Sequence, residues 1–254
     1  MEWFEELKAL AKSGQPLTFW QDFYVKFYQA FIEKDRWQQY LNGVGTTLLV
    51  TALALLIGVV LGVIVSVVRT AYDQQRPGHR NPLLAFLNAI FRVYVTVIRG
   101  TPMMVQLLVM GLVIFASSKE FAMVGALTLG INSGAYTSEI IRGGLMSVDI
   151  GQMEAGRSLG LTYTDTMVHI IIPQAVKAIL PALGNEFIVL LKDTSMISVI
   201  GGKELVYFAR GVISRTYEPM FPFLGTALIY LILVMLFTWL LGIFERRLRA
   251  SDRR

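Results

Sequence analysis

The sequence predicts an all-α membrane protein with five transmembrane helices, six being the alternative. Three observations lead there. Hydrophobic residues make up 54% of the 254 positions and charged residues 16%, against about 45–50% and about 25% in soluble domains. The mean hydropathy is +0.56. Two runs of 26 residues, Gly43–Val68 and Pro219–Phe244, carry no charge, and about 20 apolar helical residues cross a hydrocarbon core of ~30 Å. Disorder is excluded by the apolar content. The absence of Cys excludes disulfide frameworks, thiolate metal sites and Cys nucleophiles. His79 and His169 are the only histidines, too few for a His-rich metal or haem site. A net charge of +5 reads, in a membrane protein, as an orientation signal.

The elements follow in chain order. Residues 1–42 form an aromatic amphipathic segment, external or interfacial. It starts Met1-Glu2-Trp3-Phe4-Glu5-Glu6, which is too acidic for a signal peptide. Phe23, Phe27 and Phe31 recur at helical spacing, so this segment either lies in the membrane interface or packs on the spans. The transmembrane domain covers residues 43–248. Its first span is 43–68. The second is 83–118 with a break at 99–102, where Gly100-Thr101-Pro102 interrupts the helix. Residues 83–98 are then either the first half of that span or an interfacial helix. The third span is 121–141, the fourth 178–201 and the fifth 219–244. The fourth contains Glu186 and Lys192-Asp193, charges tolerated where they face a bundle interior or cavity. A loop, 142–177, joins spans three and four, and 249–254 is a basic tail. With the N-terminus outside, eleven Lys/Arg fall in inner segments and six in outer ones. That places the C-terminus in the cytoplasm.

The 142–177 loop carries the most specific pattern. Glu154, Ala155, Gly160, Ile170 and Pro173 are spaced as in the cytoplasmic signature of the permease subunits of bacterial ATP-binding-cassette importers, which the chain resembles. That signature runs Glu-Ala-Ala, three residues, Gly, nine residues, Ile, one residue, Leu-Pro. Here Gly156 replaces the third residue and Ile172 the Leu. The physics agrees with a compact knob. A short helix starting near Gly151 places Glu154 in its first turn, where a negative charge suits the dipole. Ala155 and Gly156 are small enough for a partner to approach closely. Gly160 can end the helix in a left-handed conformation, and Thr162 or Thr164 can cap the next. The resemblance implies that Glu154, Ala155, Gly156, Leu159, Gly160, Ile170 and Pro173 form a coupling helix that docks on an ATPase.

Further segments resemble the polar amino-acid permeases in particular: Arg99-Gly100-Thr101-Pro102 with Val105-Gln106, Asn132 to Tyr136 with Glu139 and Arg142-Gly143-Gly144, and Leu191 to Ser195. The resemblance runs from about Val44 to Leu248. It implies an ATP-driven importer whose permeases form the pathway as a homodimer or heterodimer. The partners would be paired cytoplasmic ATPase subunits, which hold ATP and Mg, and an extracellular or periplasmic amino-acid-binding protein. No cofactor is expected in this chain, and no Gly-x4-Gly-Lys-Ser/Thr loop occurs in it. The chain is therefore expected to be a transport subunit and not an enzyme. The alternative is a secondary transporter or channel acting without an ATPase.

Polar groups within spans are candidates for the substrate path. Glu139 either faces the path or pairs with Arg142. Glu186, beside Asn185, needs a partner or water. Lys192, Asp193, Thr194 and Ser195 form either a local ion pair at a kink or a gate. Arg99 and Thr101, with Gln106, sit at the break, where free N–H groups could bind a carboxylate or Arg99 could anchor at headgroups. Asn132, Ser133 and Tyr136 either line a pocket or accompany close packing through Gly130 and Gly134.

Overall fold

The computed structural model describes residues 2–13, 15–75 and 81–250. Arg76, His79, Arg80, Arg253 and Arg254, and thus part of the inner loop and basic tail, lie outside the described residues. Those described form helices and loops with no strand. The helices are α1 Glu2–Lys12, α2 Phe19–Phe31, α3 Arg36–Asp73, α4 Pro82–Gly100, α5 Met103–Val109, α6 Phe121–Met146, α7 Ile150–Ser158, α8 Tyr163–Thr166, α9 Ile172–Asp193, α10 Leu205–Thr216 and α11 Met220–Ala250. A π-helical turn, Met110–Ile114, extends α5, another, Met167–Ile171, joins α8 to α9, and a 3-10 turn, Thr194–Ile200, follows α9.

Four helical segments are long and apolar enough to cross a membrane: Glu33–Asp73, Pro82–Gly100, Tyr163–Ile200 and Met220–Leu248. This set differs from the five spans read in the sequence. Residues 82–100 are a helix of their own, and the chain from Met103 to Ile114 is a shorter apolar helix. Thr101, ahead of Pro102, is extended at φ −116 and ψ 143, because the proline ring bars the α region there. The third predicted span, α6, is 26 residues long but not among the four. Its Ser and Thr residues and its glycines other than Gly143 are buried against other helices, so α6 needs no apolar surface along its whole length.

Helix α6 is the centre of the bundle. It runs alongside α3 in the same direction, Gly58 meeting Ser133 and Gly62 meeting Thr137. A Cβ at Gly62 would lie 2.5 Å from the Thr137 Cγ2, and one at Gly130 would lie 2.6 Å from the Ile57 Cβ. These glycines let two backbones approach as side chains would not. Helix α9 runs back along α6, with a Cβ at Gly144 falling 2.3 Å from the Ile179 Cγ1. Helix α11 packs on α9, where the Phe187 and Phe237 rings are 4.8 Å apart. Val50, Ala54, Leu107, Leu129, Leu190 and Ile197 fill the core between these helices. The C-terminal ends of α3 and α6 and the start of α9 therefore share one end of the bundle, the end that carries α7.

Candidate functional site

Two regions gather the residues that the sequence singles out. The first is the knob of α7, α8 and the start of α9. The Asp149 side chain caps α7 by accepting from the Gly151 N–H at 2.6 Å. Because α7 begins at Ile150, Glu154 lies in its second turn and not its first. Asp149 takes the place at the positive end of the dipole instead. The far end closes by two bonds, Leu161 N–H to the Gly156 carbonyl and Gly160 N–H to the Arg157 carbonyl, each 3.1 Å. Gly160 has a φ of +85. This is a Schellman ending, which a residue with a Cβ adopts only under strain. Thr162 then caps α8, its Oγ1 accepting from the Asp165 N–H at 3.1 Å.

Gly156 does not face outward beside Ala155. It is buried, and a Cβ there would lie 2.6 Å from the Thr166 Cγ2 and 3.2 Å from the Ile170 Cδ1. Its smallness seats α7 on α8 and the turn that follows, so the knob's shape depends on Gly156, Thr166 and Ile170 together. Gln174 closes the base, donating to the Ile170 carbonyl at 2.9 Å. Ala155 and Glu154 are exposed, as are Ile150 at 77% and Leu159 at 82%. Pro173, also exposed, sits at the start of α9. Fixed side chains on one face and solvent-exposed apolar ones on the other suit a partner surface.

The second region is a polar seam down α6. Gln106, on α5, donates to the carbonyls of Ile98 and Thr101 at 2.8 and 3.2 Å and to the Thr101 Oγ1 at 2.8 Å. Two carbonyls at the break, those of Ile98 and Thr101, are thus satisfied from within. The Asn132 amide donates to the Gln106 Oε1 at 3.0 Å. One residue on, Ser133 is fully buried and its hydroxyl donates to the Glu186 Oε1 at 2.8 Å. Serine is the partner that the mid-span carboxylate needs, and no Arg or Lys from another span neutralises it among the ion pairs of the described residues. The Arg99 guanidinium lies over the Tyr136 ring, 5.2 Å from its centroid. Arg99, Tyr136 and Asn185 are exposed. Asn132 and Ser133 accompany Gly130 and Gly134 on the same helix, so close packing and a polar lining occur together. Lys192 and Asp193 do not form an ion pair within 4.0 Å. Lys192 is exposed, Thr194 is buried with its hydroxyl on the Leu191 carbonyl at 2.7 Å, and Ser195 is half-buried.

Glu139 belongs to neither region alone. Arg69 of α3 pairs with its Oε1, Arg142 approaches its Oε2 at 3.8 Å, and Arg142 also bonds Asp73 at 3.2 Å. Four charges clamp the ends of α3 and α6 together beside the knob. Sequence reading missed Arg69 and Asp73, although Arg69 is the first charge after an uncharged run and so had to mark its end. It also missed Glu204, which is 0% exposed and caps α10 through the Val206 and Tyr207 N–H groups at 2.7 and 2.8 Å, with the Tyr230 hydroxyl at 2.9 Å. The clamp makes a ranked prediction. The side chains of Arg69 and Glu139 are 15% and 31% exposed, that of Asp73 49%. The Arg69–Glu139 pair is thus the less exposed one, the Arg142 and Asp73 side chains being 31% and 49% exposed, and a pair further from solvent is less screened. Arg69→Ala should therefore lower the melting temperature in detergent more than Asp73→Ala does; equal shifts would remove the clamp from the account.

Residues 82–250 match the family described as binding-protein-dependent transport system inner membrane component. The chain belongs to this family. A relative from Rickettsia bellii, named a putative glutamine transport system permease protein, is 36% identical over 83% of this chain and 93% of its own length. One from Bacillus subtilis, named an arginine transport system permease protein, is 34% identical over 84% and 93%. Among solved structures, an amino acid ABC transporter crystallised with histidines is 41% identical with a TM-score of 0.74, covering 83% of this chain and 94% of the other. A methionine ABC transporter in inward-facing conformations, 21% identical with a TM-score of 0.68 over 85% and 98%, shares the fold. The family's residues contain both the knob and the seam, whereas α1, α2 and α3 precede residue 82.

Proposed function

We propose that this chain is the transmembrane permease subunit of an ATP-driven, binding-protein-dependent importer of polar amino acids. The observation that carries the reading is the knob. It is capped at both ends and exposes Ile150, Glu154, Ala155 and Leu159 at the end of the bundle where α3 and α6 finish. Family membership and the glutamine and arginine relatives support the transport system and the substrate class. In this reading α7 is the coupling helix, and ATP and Mg are held by a separate pair of ATPase subunits. Five crossings run along α3, α4 with α5, α6, α9 and α11. The N-terminus is outside, and α7 and the C-terminus are cytoplasmic. Two permease chains, identical or not, enclose the path between them, and an external binding protein delivers the amino acid. Rocking of the two halves alternates access to a site near the midplane.

The polar seam is the proposed lining of that path. The half-buried Glu186 carboxylate is held by a serine hydroxyl and not by a basic side chain, so it can accept from a substrate ammonium group. Glu186→Gln should raise the apparent Km for uptake in proteoliposomes at least threefold, with the protein still folded. Unchanged kinetics would assign Glu186 to packing with Ser133. The topology has its own test, aided by the Cys-free sequence. In intact cells an impermeant thiol reagent should label Glu5→Cys and spare Ser158→Cys; the reverse pattern would invert the orientation.

A further inference from the structure

The N-terminal helices lie outside the matched family residues, and they present a surface that the transport reading does not use. Helix α2 has three sides. On one, α1 covers it: Phe4 and Leu7 are buried with Val25, and the Phe4 and Tyr28 rings are 4.1 Å apart. On the second, α2 seats on α11. Phe23 and Phe27 meet Phe221 with ring centroids 4.9 and 6.1 Å apart, and a Cβ at Gly225 would lie 2.5 Å from the Phe31 ring. The third side is open. Phe19 is 73% exposed, Trp20 74%, and Phe23 and Phe27 41% each.

Four adjacent exposed aromatics on one helix face call for a partner. We infer that α1 and α2 form a membrane-interface anchor, with Phe19, Trp20, Phe23 and Phe27 seated among lipid headgroups and upper acyl chains at the N-terminal end of α11. Continuity decides the occupant. Through Phe221 the stripe runs onto the outer face of α11, where Leu224, Leu228 and Leu231 are exposed and no residue of the most apolar window is buried. That face has to meet lipid. Depth agrees. Helix α11 has 31 residues, about 46 Å at ~1.5 Å each, which exceeds the ~30 Å hydrocarbon core. Phe221 is its second residue, so α2 sits where the apolar layer ends, the level that aromatic side chains favour. Several charges of this segment are paired. Lys26 pairs with Asp22 at 2.7 Å and Glu218 at 3.4 Å, and its bond to Asp22 raises its pKa above the ordinary value. Lys8 and Arg36 pair with Glu33. Phe31 also stacks near Tyr40 of α3, centroids 5.4 Å apart, so the anchor straps the starts of α3 and α11 together.

The absence of Cys permits a direct test on the full chain. Single spin labels are placed at Trp20→Cys, at Phe19→Cys as a second site on the stripe, at Leu228→Cys on the lipid face of α11, and at Glu5→Cys on α1. Each labelled protein is reconstituted in phosphatidylcholine–phosphatidylglycerol vesicles, and collision with oxygen and with a water-soluble nickel complex is measured. The expected depth of the Trp20 and Phe19 labels lies between the deep Leu228 label and the aqueous Glu5 label. Nickel accessibility equal to that at Glu5 would overturn the anchor in favour of a water-exposed helix. Shielding from both reagents would overturn it in favour of a protein partner. Either result would leave the transport reading standing.

Discussion

Glu154→Lys is expected to cut ATP-driven uptake at least tenfold without unfolding or mislocalising the chain. The residue is exposed in the middle of α7 and enters no ion pair among the described residues. An exposed substitution away from a cap or a close contact changes stability by about 0.5 kcal/mol or less. A tenfold loss of coupling corresponds to about 1.4 kcal/mol of docking free energy, well within what one reversed charge at an interface supplies. Leu159→Asp, at the other exposed end of the knob, should act in the same direction. Purified complexes would be assayed for ATP hydrolysis and uptake in parallel. Normal uptake by both variants would remove α7 from the coupling path.

Gly62→Leu should have the largest structural effect of any single change considered. A Cβ at this position would meet the Thr137 side chain at 2.5 Å and the Ser138 backbone nitrogen at 3.0 Å. The second contact is with backbone, so no rotamer relieves it. Overpacking typically costs about 1–3 kcal/mol, which in a chain of this size lowers the melting temperature by roughly 2–4 °C per kcal/mol. Gly45→Leu is the internal control, because nothing lies within 4 Å of a Cβ there. A shift in detergent of roughly 5–10 °C for Gly62→Leu, against little change for Gly45→Leu, is expected. Equal shifts would mean that α3 and α6 are not in the contact described.

Much of this architecture is legible in the residues. Uncharged runs reveal α3 and α11 because a helix facing lipid has no other composition open to it. The break at Thr101-Pro102, the left-handed turn at Gly160 and the cap at Thr162 each follow from local chemistry, and the structure has all three. Tertiary pairing is where sequence reading ends. The sequence offers Glu139 its helical neighbour Arg142, while its short partner is Arg69, seventy positions away. Gly156 reads in sequence as a surface for a partner, because smallness has the same signature on either face of a helix. The serine that holds Glu186 could be named as a polar residue but not as its partner, since nothing local brings Ser133 to α9. Helix α6 shows the same limit on composition: its interior position allows polar and small residues that a lipid-facing span would not carry.

The most direct test of the central claim, a permease worked by a separate ATPase through α7, is mass spectrometry of the tagged chain purified from native membranes in mild detergent. An ATPase subunit with a phosphate-binding loop is expected at a one-to-one ratio with permease chains, as is its loss from the Glu154→Lys preparation. Recovery of this chain alone at good yield, in a form that transports on an ion gradient without ATP, would contradict it.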